Sequence, residues 1–342
     1  MNKNNIEGEI IMKFKKIASV VLSGVLLLSA VGLAGCGKSK EKVTVYSSAE
    51  DYRIELMKKM LDEKFPDYDI TVEYLTTGEH AAKLISEGKN ADCDISHDIE
   101  YGYAQKIAAS GNYADISGIV DLKQFADDAI VSNYICPEVR NGGAIIINRS
   151  VISERGLSMP ESYEDLLKPE YKDLISMPNP KSSGTGYMFL KALVNAWGED
   201  KAFEYFDKLS ENILAYESSG SGPVNKLIQK EVAIGLGMTA QAVTKINESG
   251  ADFEIKYFDE GSPFSLYGTA IVSGKETREA VKEVFNYICT DVNMEMNKQY
   301  YPEKIYKDFT PTIKNYPTDI KYSDMSNDTI EEKERLLAKW KY

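Results

Sequence analysis

The sequence predicts an α/β protein of two lobes, each a mostly parallel sheet flanked by helices. Three observations carry that reading. Short β-branched or apolar runs alternate with helical stretches along the chain, the pattern of a parallel sheet with both faces covered. Near mid-chain a glycine pair leads into an unbroken apolar run, Gly142-Gly143-Ala144-Ile145-Ile146-Ile147-Asn148, which reads as a crossover between lobes. After an N-terminal leader about 300 residues remain, enough for two separate cores.

The elements follow in order. Residues 42–46 form a first strand, followed by Ser47-Ser48. Ile54, Met57, Leu61 and Phe65 fall on one helical face. Residues 69–74 are a second strand, 78–87 a second helix and 93–96 a third strand, ending at His97-Asp98-Ile99-Glu100; 103–109 are helical. Beyond the crossover, 162–167 read as a capped helical turn. The strand 174–177 is stopped by Pro178-Asn179-Pro180, and Ser182-Ser183-Gly184-Thr185-Gly186 opens a helix, 187–197. A helix (201–209) and a strand (213–216) follow, and then residues 218–223 open a helix over 224–230. The strand 233–238 runs into Thr239-Ala240-Gln241 and a helix to residue 247; 254–258 is a further strand. Residues 265–272 read as a return strand to the first lobe, and 275–288 as a helix. Lobe 1 is therefore expected to hold 43–140 and 265–342, and lobe 2 to hold 141–264.

The chain carries net charge −13, and removing a leader of net +2 (Lys3, Lys13, Lys15 and Lys16 against Glu7 and Glu9) leaves −15. So acidic a body argues against a nucleic-acid surface or adhesion to anionic lipid. It does not exclude an anionic ligand, because oriented backbone amides supply local positive potential. Past the leader stand Cys93, Cys136 and Cys289, which cannot all pair; free buried thiols are expected, with a Cys93–Cys136 disulfide left open. With no Cys-x-x-Cys and only His80 and His97, neither a metal site nor a cofactor is expected.

Chemistry is sought at the carboxyl ends of the strands, where such sheets place ligands. Ser182, Ser183, Gly184, Thr185, Gly186 and Tyr187 join a strand to a helix start, where unpaired amides and the positive end of the dipole suit an oxyanion. The alternative is that Ser183 or Thr185 simply caps the helix. Ser219, Gly220 and Ser221 repeat the construction after the next strand. Neither loop carries the lysine of a nucleotide-hydrolysing phosphate loop. Ser47, Ser48, Thr77, His97 and Asp98 would form the facing edge of lobe 1, with His97 either a ligand for an anion or metal or an ordinary rim histidine. Met238, Thr239 and Gln241 close the lobe-2 side, and Tyr267 stands at the return crossover. No Gly-x-Ser-x-Gly elbow is present, so an enzyme is not expected.

Two resemblances complete the reading. Lys13, Lys15 and Lys16, the apolar stretch from Ile17 and Leu33-Ala34-Gly35-Cys36 resemble a bacterial lipoprotein signal, with a transmembrane anchor of roughly 19 residues as the alternative. The resemblance implies that residues 1–36 end at a lipidated Cys36, that 37–42 are a tether, and that the protein works on the outer face of the cytoplasmic membrane. Translation could start at Met1 or at Met12. From Val43 to about Ile288 the chain resembles extracellular solute-binding proteins of ABC importers, most like the group of ferric-iron, 2-aminoethylphosphonate, sugar-phosphate and thiamine binders. The residues concerned are Val45-Tyr46-Ser47-Ser48, Ala91-Asp92-Cys93-Asp94, Gly142 through Asn148, and Pro180 through Gly186. This implies a monomeric periplasmic-binding-protein-like clamshell that closes on its solute and serves permease and ATPase subunits. Ferric binders of the group carry a tyrosine pair after the strand 233–238, where this chain has Met238-Thr239-Ala240-Gln241. A small oxyanion-bearing solute is therefore the leading expectation, with ferric iron, thiamine or thiamine phosphate as alternatives in the same role, and a sensor subunit or surface enzyme behind them.

Overall fold

A computed structural model describes residues 40–130, 132–303 and 305–342. Cys36 and the rest of the proposed leader lie outside the described residues, as do 37–39 of the tether. No described helix is long and apolar enough to cross a membrane. Residues Glu41–Tyr342 form one compact unit.

In lobe 1, β1 (Glu41–Ser47) places Val43 and Val45 in the core, and its Ser47 is equally buried. Helix α1 (Asp51–Lys64) buries Ile54, Met57 and Leu61, the spacing of one helical face. It leads to β2 (Tyr68–Tyr74), parallel to β1. A reciprocal Thr76–Glu79 capping box starts α2 (Thr77–Glu87), which returns the chain to β3 (Ile95–Glu100), also parallel to β1. α3 (Tyr101–Ala109) follows directly.

The 13-residue β4 (Cys136–Asn148) crosses between lobes. Its first half pairs antiparallel with β9 (Phe264–Ile271), and its second half with β7 (Ile234–Met238) and β8 (Phe253–Lys256). The change of partner falls at Gly142-Gly143. A side chain on Gly143 would meet Met188, Phe189 and Pro263 at 2.8–2.9 Å, so only glycine lets the strand pass this close. After α4 (Arg149–Arg155), β5 (Ile175–Pro178) lies between β7 and β6 (Ile213–Glu217), parallel to both. α5 (Gly184–Trp197) is apolar nearly all round because it runs through the lobe-2 core, flanked by α6 (Glu199–Leu209). α7 (Gly222–Ile228) and α8 (Thr239–Ser249) complete the lobe. The sheet order is β2-β1-β3-β9-β4-β7-β5-β6, with β8 on β4.

The sheets are mixed, where mostly parallel ones were expected. Parallel pairing is confined to β2-β1-β3 and β6-β5-β7; strands that pass between lobes without a helical crossover meet their neighbours antiparallel. The C-terminal placement also differs. α9 (Glu279–Tyr287) and α10 (Asn293–Tyr300) join the lobe-1 core through Val284, Phe285 and Met296, but α11 (Ile330–Lys339) does not. Leu336 and Trp340 enter the lobe-2 core, where Trp340 meets the Phe206 ring edge-on at 5.2 Å. Cys93, Cys136 and Cys289 are buried and free, so the Cys93–Cys136 disulfide is not formed.

Candidate functional site

The carboxyl ends of β1 and β3 face the two serine- and glycine-bearing loops of lobe 2 across a cavity of about 20 Å³. Lobe 1 lines it with Ser48, Ala49, Glu50, Thr77 and Asp98; the crossing strands add Asn141 and Tyr267; lobe 2 adds Ser183, Thr185, Ser219, Gly220, Ser221 and Met238. That volume holds about one water molecule. The lobes are closed on each other: Gly78 N–H donates to the Ser182 carbonyl at 3.0 Å, Tyr74 Oη to Ser219 Oγ at 2.9 Å and Tyr103 Oη to the Lys181 carbonyl at 3.3 Å. Roomier hollows of about 400 Å³ beside Trp197 and about 280 Å³ beside Tyr316 lie away from both loops and join no hydroxyl set from the two lobes.

The seam suggests its own test. A Cβ on Gly78 would sit 3.0 Å from both the Lys181 carbonyl oxygen and Ser182 Cα. Gly78→Val obstructs closure while leaving each lobe's core intact. Solute affinity is expected to fall about tenfold or more, because binding is weakened by the lost fraction of closed state. Calorimetry gives the affinity, and small-angle scattering checks that ligand no longer contracts the variant. An unchanged affinity would show that closure does not pass through this contact.

In lobe 2, Ser183 has extended backbone and its Oγ accepts from Gly186 N–H at 3.4 Å, capping the 14-residue α5. Ser183 thus both caps the helix and lines the cavity. The second loop works differently. α7 has only seven residues and a proline in its first turn, so this loop contributes hydroxyls more than a helix end. Ser219 Oγ and Ser221 Oγ are 2.9 Å apart. A side chain on Gly220 would come within 3.0 Å of Thr185 Cβ, so glycine allows the two loops to meet.

Eight of the expected residues stand outside this cavity. His97 continues β3 but, unlike Asp98, does not line the cavity. It is buried, with Nδ1 2.9 Å from Ser47 Oγ and Nε2 3.0 Å from Glu138 Oε1, so both ring nitrogens serve the protein interior and the rim or ligand role falls away. Ser47 is turned inward with it. Among the described residues no group of three or more His, Cys, Asp or Glu is arranged to hold a metal. Ser182 Oγ donates to the Ser218 carbonyl at 3.0 Å, tying the two loops together. Gly184 packs against Glu100 and Tyr267, and Gly186 against the 178–180 backbone. Tyr187 is drawn away by Asp328, to which its Oη donates at 2.7 Å. Thr239 bonds Tyr257 Oη at 3.1 Å. Gln241 donates to the Ser221 carbonyl at 3.2 Å and lines a neighbouring vestibule of about 260 Å³, which shares Glu50 and Ser221 with the inner cavity.

Sequence reasoning missed Ala49, Glu50 and Asn141, together with the charged floor beneath them. The β3–β9 pairing slips between Ser96 and Ile99, and Asp98 there has φ of 54°. Such a bulge re-aims a side chain, here into the cavity. A second slip falls between Pro137 and Val139, at Glu138, whose carboxylate meets Arg53, His97 and the Thr269 hydroxyl. Arg53 links the floor: Nη1 lies 3.0 Å from Glu50, and Nη2 lies 2.8 Å from Asp98 and 2.5 Å from Glu138. Burial pushes Asp98 well above the usual carboxylate range, against the pull of Arg53. Burial also acts upward on Glu138, but His97, Arg53 and the Thr269 hydroxyl outweigh it and hold the carboxyl at about 2. His80, placed on α2, fixes the cavity wall from behind: Nδ1 is 3.0 Å from Ser48 Oγ and Nε2 2.9 Å from Ser96 Oγ. Burial, with His97 nearby, pulls its pKa down to about 3.

A family model, described as bacterial extracellular solute-binding protein, matches residues 103–333. The chain belongs to this family. An uncharacterized protein of Haemophilus influenzae is 27% identical to this solute-binding protein over 285 residues, 79% of each chain. The periplasmic binding protein AfuA from Actinobacillus pleuropneumoniae, solved with exogenous fructose-6-phosphate bound, superposes with a TM-score of 0.78 at 23% identity, covering 88% of this chain and 98% of its own. A periplasmic thiamin binding protein gives a TM-score of 0.73 at 15% identity, with coverage of 88% and 96%. These likenesses fix the two-lobed periplasmic-binding-protein fold, and the family fixes the role as solute binding for transport.

Proposed function

We propose that this solute-binding protein captures a small oxyanion-bearing solute, a phosphonate or phosphate ester, between its lobes and delivers it to the permease and ATPase of an ABC importer. The observation that carries the reading is the convergence of hydroxyls from both lobes, Ser48 and Thr77 against Ser183, Thr185, Ser219 and Ser221, at the N-terminus of α5. A helix start with adjacent hydroxyls is a ready oxyanion receptor. The fructose-6-phosphate held by AfuA lends support. Iron is disfavoured, because among the described residues Tyr267 is the one phenol lining the cavity, and the Glu50 and Asp98 carboxylates there are already held by Arg53. A thiamine cage of stacked rings meets the same objection. We further propose that the protein is a monomer held on the outer face of the membrane by lipid on Cys36, and that it binds its solute without turnover.

A thermal-shift screen of phosphonates, sugar phosphates, thiamine compounds and ferric salts tests this. At a hundredfold excess over Kd the right solute stabilises the protein by about 2.7 kcal/mol, a rise of several degrees in Tm. Mass spectrometry is expected to recover it unchanged. Silence from every oxyanion compound would refute the reading, whereas a response to ferric salts alone would reinstate iron.

A further inference from the structure

With the lobes closed, one carboxylate of lobe 1 is buried outside the solute cavity. Glu100 ends β3, and the start of α5 in lobe 2 packs over it: a Cβ on Gly184 would sit 3.0 Å from Glu100 Cβ. Its Oε1 accepts from Gly102 N–H at 2.9 Å and from the Ser265 hydroxyl at 3.0 Å, neither of which brings a charge. The counterion comes from the C-terminal helix. Lys333 of α11 is also buried, and its Nζ pairs with Glu100 Oε2. The ammonium stands over two rings from opposite sides of the seam, 3.9 Å from the centroid of Tyr103 in α3 and 4.3 Å from that of Tyr187 in α5. Leu336 and Trp340 hold the same helix end in the lobe-2 core, so α11 carries its charge across to lobe 1. We propose that Lys333 is a positioning residue for solute binding: it neutralises Glu100 as the lobes meet and so holds the seam shut from outside the cavity.

A buried carboxylate stripped of its counterion is costly, whereas water solvates the same group in an open cleft. Lys333 removes that penalty from the closed form. Charge-assisted hydrogen bonds are roughly twice as strong as neutral ones, and the seam contacts of Gly78, Tyr74 and Tyr103 are all neutral. The two tyrosine rings add cation–π attraction in a place without water. Gly102 leaves room for the ammonium, since a Cβ there would lie 3.1 Å from Lys333 Nζ. Lys106 of α3 also pairs with Glu334 of α11, but this pair is exposed and contributes little.

Amide hydrogen exchange on the protein alone tests the assignment, whichever solute it takes. Gly78 N–H lies in the first turn of α2, beyond reach of an intrahelical acceptor, and donates across the seam to the Ser182 carbonyl. Its exchange therefore reports opening. Lys333→Met is expected to speed exchange at Gly78 about tenfold or more, while amides of β1 and β7, inside the two lobes, move far less. Adding Glu100→Gln removes the stranded charge and is expected to bring Gly78 back toward the parent rate. Should Lys333→Met fail to fold, Glu100→Gln alone strands the ammonium instead and is expected to open the seam likewise. Unchanged exchange at Gly78, or equal acceleration in β1 and β7, overturns the proposal. So does a Gly78 amide that is already unprotected in the parent. Acceleration that the double variant fails to reverse overturns the counterion role of Lys333.

Discussion

Replacing Arg53 by methionine is expected to destabilise the protein by about 3–5 kcal/mol, the usual consequence of stripping the partner from a buried charge network. Arg53 is 1% exposed and faces Glu50, Asp98 and Glu138 at 2.5–3.0 Å, with its guanidinium 5.0 Å from the centroid of the Tyr301 ring. Methionine preserves much of the side-chain volume, so the loss measures charge and hydrogen bonding more than packing. Arg53→Lys is expected to fall between, because an ammonium cannot satisfy three carboxylates in the planar fork that guanidinium offers. Urea titrations of the three proteins give the comparison. A methionine variant within about 1 kcal/mol of the parent, inside the ordinary range for a single substitution, would show that the carboxylates find other partners or protons. The variant is also expected to lose solute affinity, since Glu50 and Asp98 line the cavity directly.

The network explains why some of the site was readable in the sequence and some was not. Ser48, Thr77, Ser183, Thr185, Ser219, Gly220, Ser221, Met238 and Tyr267 line one cavity, and each stands just past a strand, at a helix start or on the return crossover. Topology makes such positions predictable, because parallel strands aim their carboxyl ends at one edge. Arg53 and Glu138 are 85 residues apart, and no local pattern announces that they will meet. Glu50, before a helix, looks like any acid favouring the positive end of a dipole, but its carboxylate is taken by Arg53. The sequence places the third strand at 93–96, ending at His97-Asp98-Ile99-Glu100. It continues to Glu100 because a bulge absorbs the polar pair, sending Asp98 to the cavity and His97 to the interior. One missed bulge thus accounts for the extent of β3 and the misplaced histidine.

Stability is also expected to fall as the pH drops below about 6.5, and His80 is the principal cause. Its pKa is about 3 in the fold against an ordinary 6.5, so between those values the unfolded chain takes up a proton that the folded protein refuses. Protons then favour unfolding. The contribution is complete above pH 6.5 and is lost on acidification, reaching about 5 kcal/mol by pH 3 at about 1.4 kcal/mol per unit. Glu138, held at about 2 against 4.5, adds a second loss, but only below pH 4.5. Asp98 acts in the opposite sense, since a raised carboxyl binds its proton more firmly when folded and so partly offsets the decline. Urea midpoints measured from pH 8 to pH 4.5 on the parent and on a His80 variant therefore separate the His80 share from the opposing one of Asp98. His80→Gln, which keeps a donor and an acceptor between Ser48 and Ser96, is expected to flatten that slope. A variant that keeps the full wild-type slope would remove His80 from the account. The neutral imidazole has one donor and one acceptor for two hydroxyls, so it fixes which way the Ser48 hydroxyl points. Protonation would make both ring nitrogens donors, so whichever of the Ser48 and Ser96 hydroxyls donates to the neutral ring would have to turn its proton away.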